Sequence, residues 1–248
     1  MSASPQLSLV VPAFNEVATI QCTLRAIRDY LEPRGVTYEL IVSADGADGT
    51  REAAAALAAE LPVRVMGAPE RRGKGRGVRE GVLVAAGNIV GFLDADYKVA
   101  ITELEKVLPW FDQGFDIVIG SRAVNGADVR VGQKWYRRLG SKGFALLMRP
   151  LVGLYGIADT QCGFKFFRRE VARDLFARQR IDGYMFDVEV LSLALRAGYA
   201  VKEVGVTWQD DGDTRLQLVS GNWKNVKDLF RIRFGARGVP TGSRTARS

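Results

Sequence analysis

The sequence predicts an α/β fold on a mainly parallel sheet flanked by helices, and three observations lead there. Across the first 120 residues, apolar β-branched runs alternate with helical patterns, the signature of βαβ units. Asn15 and Asp48 stand where the N-caps of the first two helices belong. With 248 residues, 47% of them hydrophobic and 25% charged, the chain is long enough to bury one large core.

In chain order, strands are expected at residues 7–11, 38–43, 63–66, 88–93 and 116–120, each a short run rich in Val, Ile or Leu. Helices are expected between them at about 17–31, 50–61, 75–86 and 101–111. After Gly120 the pattern changes. A basic segment leads into an apolar stripe of Phe144, Leu147, Met148 and Leu151 at i, i+3, i+4, i+7, then into a strand-like run at 163–168. Helices at 169–179 and 186–197 and a strand at 200–208 follow. A last helix at 222–234 gathers Trp223, Val226, Phe230 and Phe234 on one side, with Lys224, Lys227 and Arg231 elsewhere. Residues 1–235 therefore read as a single domain with a basic amphipathic helical C-terminal part. The Gly/Ser/Thr/Arg-rich end, 236–248, reads as a disordered basic tail.

Composition excludes several chemistries. The chain has no histidine, which removes Ser-His-Asp triads, Cys-His pairs and the usual His-containing zinc sites. Acid and base work falls to carboxylates, Lys, Tyr or Cys. Cys22 and Cys162 lie far apart and form no CxxC, which fits a reducing cytoplasm. The net charge of +7 is uneven: from Arg215 to Ser248 eight Lys/Arg face one acid, Asp228, so this stretch alone accounts for it. A second basic stretch, Arg130 to Arg149, holds no acid. Such excesses suit a polyanionic partner, be it nucleic acid, a phosphorylated substrate or an anionic membrane, or else an ordinary solvated face. No signal peptide is expected at the short polar start. The longest near-apolar run, residues 144–157, contains Arg149 and is too short to span a bilayer as a helix.

Asp94-Ala95-Asp96 closes the strand at 88–93, so two carboxylates emerge at the carboxyl edge of a parallel strand, where ligands of open α/β sheets bind. Without nearby His or Cys, such hard oxygen donors suit Mg2+ or Mn2+ bound with a diphosphate, or simply make a turn. Pro12-Ala13-Phe14-Asn15-Glu16 stands where a dinucleotide fold needs GxGxxG, which disfavours a nicotinamide dehydrogenase. Arg71-Arg72-Gly73-Lys74-Gly75-Arg76-Gly77 opens a helix with three glycines and four cations. It reads as a phosphate-facing helix start or as a flexible surface turn.

Together these segments resemble glycosyltransferase family 2, inverting enzymes of the GT-A fold with a Rossmann-like sheet. The matching residues are Val10 to Glu16, Ala44 to Thr50, Gly73-Lys74-Gly75 and Phe92 to Asp96. In the second half, Gly120-Ser121-Arg122, Asp159 to Lys165, Phe186 to Glu189 and Glu203 to Trp208 resemble the polyprenyl-phosphate glycosyltransferases, above all the dolichyl-phosphate β-glucosyltransferase branch. The resemblance implies a nucleotide-sugar half at about 1–120 and an acceptor half at 121–235. It implies a hexose moved from a nucleotide diphosphate sugar, UDP-glucose before GDP-mannose, to a polyprenyl or dolichyl phosphate.

Carried onto this chain, the resemblance places the nucleotide sugar near Pro12, Ala13, Glu16, Asp45, Lys74 and Asp94, and an Mg2+ or Mn2+ on Asp94 and Asp96. Asp96, Lys74 and Asp159 are the implied catalytic groups, with Asp159 either a base or an orienting carboxylate. Arg122, Arg137, Arg138, Gln161 and Lys165 are implied on the acceptor. The chain departs from the family at Ser43-Ala44-Asp45-Gly46, where Asp-Asp-Gly-Ser is usual: either the loop is one residue shorter and Asp45 is the acid that would meet the base, or that acid has moved. Asp187 and Glu189 read equally as site groups or as capping and charge-pairing residues. Cys162 reads as a small buried residue beside the site. The resemblance also implies peripheral contact with an anionic membrane at its inner, cytoplasmic face, with no nucleic acid expected. A soluble hydroxyl acceptor, or a nucleic-acid-binding protein using the basic tail, are the alternatives.

Overall fold

The computed structural model describes residues 4–130, 152–209 and 223–235. Its strands are β1 (Leu7–Phe14), β2 (Tyr38–Asp45), β3 (Val63–Met66), β4 (Ile89–Leu93), β5 (Ile117–Ser121), β6 (Asp128–Arg130), β7 (Phe164–Arg168), β8 (Val201–Gly205) and β9 (Thr207–Gln209). The described helices are α1 (Ile20–Leu31), α2 (Thr50–Ala55), α3 (Lys74–Val84), α4 (Leu104–Asp112), α5 (Arg169–Arg178), α6 (Phe186–Arg196) and α7 (Trp223–Gly235).

Among the described residues the main sheet has seven strands in the order β3-β2-β1-β4-β7-β5-β8. All its pairings are parallel except those of β7, which runs antiparallel to both β4 and β5. Strands this apolar on both faces must be covered on both. Leu9 and Val11 face a core formed with Ile20, Leu24 and Ile27 of α1 and Val107 of α4. Val10, Ile41 and Phe92 face the opposite layer, with Val78 and Val82 of α3, Phe176 of α5 and Phe186 of α6.

Three expectations are corrected. The strand anticipated at 200–208 is two: after Gly205 the chain leaves the main sheet, and β9 pairs with β6 instead. Asn15 and Asp48 are not N-caps. Thr19 precedes α1 and Gly49 precedes α2, while Asn15 sits at φ +57°, in the left-handed region. Asp48 nonetheless ties the two loops together, accepting from Thr50 N at 3.1 Å and Val17 N at 3.1 Å. Finally, the helix anticipated at 50–61 ends at Ala55 and continues as turns to residue 60. The stripe from Phe144 to Leu151, the side chains of Trp223, Lys224 and Val226, and the tail 236–248 lie outside the described residues.

Candidate active site

The site collects at the carboxyl edge of the parallel strands. β1 and β2 run in register to Phe14 and Asp45, β4 ends one residue before Asp94, and β5 ends at Ser121, one residue before Arg122. Because β7 is antiparallel, its beginning arrives at this same edge, with Phe164 paired to Leu93. That direction brings Asp159 to Gly163 beside the ends of β4 and β5.

At the ends of β1 and β2, Pro12 and Ala13 are buried, opposite Ser43 and Ala44. Asp45 is buried and accepts from Arg72 N at 2.7 Å, Arg72 Nε at 3.2 Å and Ala68 N at 3.3 Å, so it fixes the segment leading into α3. Half-buried Glu16 accepts from the Thr19 hydroxyl at 3.0 Å. Arg71, one of the four cations of the glycine-rich segment, stacks its guanidinium 4.5 Å from the Phe14 ring centroid and donates to the Tyr184 hydroxyl at 3.2 Å.

The glycines at the start of α3 allow close packing. A side chain on Gly73, whose φ is +112°, would meet the Asp182 carbonyl at 2.3 Å, and one on Gly75 would meet Phe186 Cβ at 2.6 Å. Lys74 turns to Asp94, with Nζ 2.6 Å from Oδ1. Burial opposes the charge on Lys74, but Asp94, Asp187 and Asp96 outweigh it and raise the ammonium above its ordinary pKa.

Asp96 lies at the rim. Its carboxyl is pushed up to about 6, by burial first and by the neighbouring Asp94 charge second, although Lys98 3.7 Å away pulls the other way. The chain turns sharply here, with Tyr97 at φ +54° and its N–H on the Asp94 carbonyl at 3.1 Å, a strained conformation of the kind found at functional sites. Gly163 rests on the Asp94 carboxylate so closely that a Cβ there would lie 2.1 Å from Oδ2. Among the described residues no group of three or more Asp, Glu, Cys or His gathers as around a resident ion. Two carboxylates one residue apart at the end of a strand do fit a hard divalent cation, provided phosphate oxygens and water complete its shell. Asp94 and Asp96 would hold it.

Beside the ends of β4 and β5, Asp159 and Arg122 form a two-pronged pair, Nε to Oδ2 at 2.7 Å and Nη2 to Oδ1 at 2.9 Å. The backbone N–H groups of Arg122 and Gln161 add bonds at 3.0 and 3.1 Å. Burial favours the neutral acid, yet Arg122 overrides it and holds the Asp159 carboxyl down at about 2. Glu203 of β8 fixes this loop, accepting from Ala158 N and Asp159 N at 2.8 and 2.7 Å. Arg122 and Lys98 both lie against the Trp208 ring, 5.4 and 5.7 Å from its centroid. Lys98 was missed in the sequence. Its signal was there, two residues beyond Asp96, but its meeting with Trp208 depends on β9 returning to this edge, where Gln209 N donates to the Lys98 carbonyl at 2.9 Å.

Lys165 corrects an expectation. Instead of facing the acceptor it is 1% exposed, with Nζ 2.6 Å from both the Cys162 carbonyl and Asp187 Oδ1. Asp187 is held by that pair, and Glu189 accepts from the backbone N–H groups of Arg180 and Ile181. Cys162 is buried as expected, its thiol pushed up to about 12 by burial and by Asp159, which leaves it unreactive. Gln161 is half-buried beside Asp159. Arg137 and Arg138 lie outside the described residues.

Comparison with known proteins follows this geometry. The sequence model of Glycosyl transferase family 2 matches residues 8–176. A dolichyl-phosphate beta-glucosyltransferase of Trichomonas vaginalis is 37% identical over 91% of this chain and 70% of its own length. Those of Drosophila melanogaster and Homo sapiens are 36% and 33% identical, over 93% and 94% of this chain and 75% and 76% of theirs. Among solved structures, Mycobacterium tuberculosis glucosyl-3-phosphoglycerate synthase superposes with a TM-score of 0.69 at 22% identity, over 93% of this chain and 80% of that one. A complex of that enzyme with Mn2+ and UDP-glucose gives 0.65 at 21% identity, over 93% and 79%.

Proposed function

Since the chain belongs to glycosyltransferase family 2 and is a glycosyltransferase of GT-A fold, we propose that it moves glucose from UDP-glucose to a dolichyl or related polyprenyl phosphate, with a divalent cation. GDP-mannose is the second donor to consider. The relatives named above as dolichyl-phosphate beta-glucosyltransferases support the acceptor, and the Mn2+ and UDP-glucose bound by a fold relative support donor and metal.

The observation that carries the choice of acceptor is Asp159. A hydroxyl acceptor needs a base to take its proton during attack. Asp159, the carboxylate on the acceptor side, receives four donors and is held at about 2, so it is a poor proton acceptor. A phosphate monoester, with a second pKa of about 6, arrives largely as a dianion and needs no base. It needs positive charge and a fixed direction of approach, which Arg122, locked by Asp159 and flanked by Lys98, provides.

In this reading Pro12, Ala13, Glu16 and Asp45 bound the pocket for base and ribose, and Lys74 places positive charge where the diphosphate leaves. When bound, the cation neutralises the leaving nucleoside diphosphate. The acceptor oxygen then attacks the anomeric carbon from the face opposite the diphosphate, which inverts its configuration. Arg122 and Gln161, with Arg137 and Arg138, would hold the acceptor. The protein would sit peripherally at the inner, cytoplasmic face of the membrane; among the described residues no helix is long and apolar enough to cross one.

The deciding experiment offers labelled UDP-glucose, GDP-mannose and other nucleotide sugars with and without dolichyl phosphate, and separates lipid from water-soluble products. Label from UDP-glucose is expected in an acid-labile lipid product only when the lipid phosphate is present. Transfer to a soluble hydroxyl compound without it would overturn the reading.

A further inference from the structure

Each carboxylate of Asp94-Ala95-Asp96 already has a lysine for a neighbour. Lys74 Nζ lies 2.6 Å from Asp94 Oδ1, and Lys98 Nζ lies 3.7 Å from Asp96 Oδ2. The lysines come from different places, one the first residue of α3 and the other the turn beyond β4. They are the more deeply set partners, with side chains 18% and 12% exposed against 34% and 36% for the aspartates. Two carboxylates and two ammonium groups sum to zero.

That neutrality sets the terms on which a divalent cation enters. To reach Asp94 it must displace Lys74, stranding an ammonium in a poorly hydrated position, and a buried charge deprived of its partner is costly. The cost disappears if an anion arrives with the metal and takes the lysine over. A diphosphate does this for Lys74. For Lys98 the structure offers a second place, because Lys98 lies against the Trp208 ring beside Arg122, which stays paired with Asp159, so a phosphate monoester arriving there could take Lys98 over from Asp96.

We propose that Lys74 and Lys98 are built-in counter-ions of the carboxylate pair, so that the metal binds tightly only together with the anions that relieve them: the donor diphosphate for Lys74 and the acceptor phosphate for Lys98. The inference rests on the donor and metal reading above and adds to it a rule of assembly. Metal and nucleotide then strengthen one another reciprocally, and the empty enzyme does not carry an idle ion.

The test is titration of Mn2+ into the full-length protein, with free Mn2+ followed by electron paramagnetic resonance, first alone and then with UDP. Wild type is expected to bind Mn2+ weakly alone and about tenfold or more tightly with UDP, within the usual span of coupling between linked sites. Lys74→Met is expected to bind Mn2+ alone about tenfold more tightly than wild type and to gain little from UDP. Lys98→Met is expected to tighten Mn2+ alone while keeping the UDP effect, and it also serves if Lys74→Met fails to fold. Mn2+ affinity unchanged or weakened in both variants, with wild type still responding to UDP, overturns the counter-ion role and leaves the donor site standing. A wild type in which UDP and Mn2+ do not assist one another overturns the donor and metal reading, and the inference with it.

Discussion

Asp159 shows how much one carboxylate does here without touching a proton. Four donors converge on it, so it behaves as a fixed anion that aims Arg122, and its depressed pKa makes stability depend on acid. The folded value of about 2 lies below the unfolded one of 3.8, so the stabilisation is fully present above pH 4 and is lost as pH falls toward 2. The loss from this one group is about 2 kcal/mol. Urea unfolding of wild type and Asp159→Asn at pH 5 and at pH 2 should show it, the wild type losing about 2 kcal/mol more than the variant across that interval. Equal losses would mean that the pair contributes nothing to the acid response. Asp94 and Asp96 stood out in the sequence because carboxylates directly after an apolar strand have few reasons to be there, whereas Asp159, in the loop before β7, stood out only through the family resemblance. Lys165 was not legible, since a lysine inside Gly-Phe-Lys-Phe-Phe reads equally as a ligand or a buried ion, and only its meeting with Asp187, 22 residues on, decides.

At the scale of elements, α3 carries a departure from local preference. Gly77 and Gly81 lie one turn apart on the side facing the sheet. A methyl group on Gly77 would lie 2.7 Å from Ser43 Oγ, and one on Gly81 2.6 Å from Val10 Cγ1. Helix propensity alone would have Gly81→Ala stabilise the protein by about 1 kcal/mol. The contact predicts the opposite, a loss of about 1–3 kcal/mol from overpacking, read as a lowered denaturation midpoint. A raised midpoint would show that the helix can stand off from β1. Strands β1, β2, β4 and β5 were legible from their apolar runs because each is covered on both faces. The reversal of β7 and the departure of β9 were not, because strand direction is chosen by partners distant in sequence and leaves the pattern of side chains unchanged.

For the molecule as a whole, the uneven charge acquires a surface. Within 215–248 the single acid, Asp228, is buried, while Lys227, Arg231 and Arg233 are exposed on α7. Leu229 and Ile232 are buried in the core layer that includes α6, so α7 is docked rather than loose. It still presents Phe230 and Phe234, 50% and 53% exposed, with rings stacked 6.3 Å apart. Aromatic rings among cations suit the interface of an anionic bilayer, where each cation contributes about 1 kcal/mol. Sedimentation with anionic liposomes should therefore fall with rising salt, with charge reversal at Lys227 and Arg231, and with Phe230→Ser, Phe234→Ser. No binding at low salt would remove the membrane from the reading and favour a soluble acceptor. The late arrival of β7 also governs how the chain can be born. β5 meets the strands before it only through β7, so a nascent chain can pair β1 to β4 early but has nothing to lay β5 against until residue 168 has left the ribosome. Until then β4 presents an open edge to whatever strand comes by, and the strands β1 to β4 wait, assembled, for the keystone that brings β5 and β8 to their side.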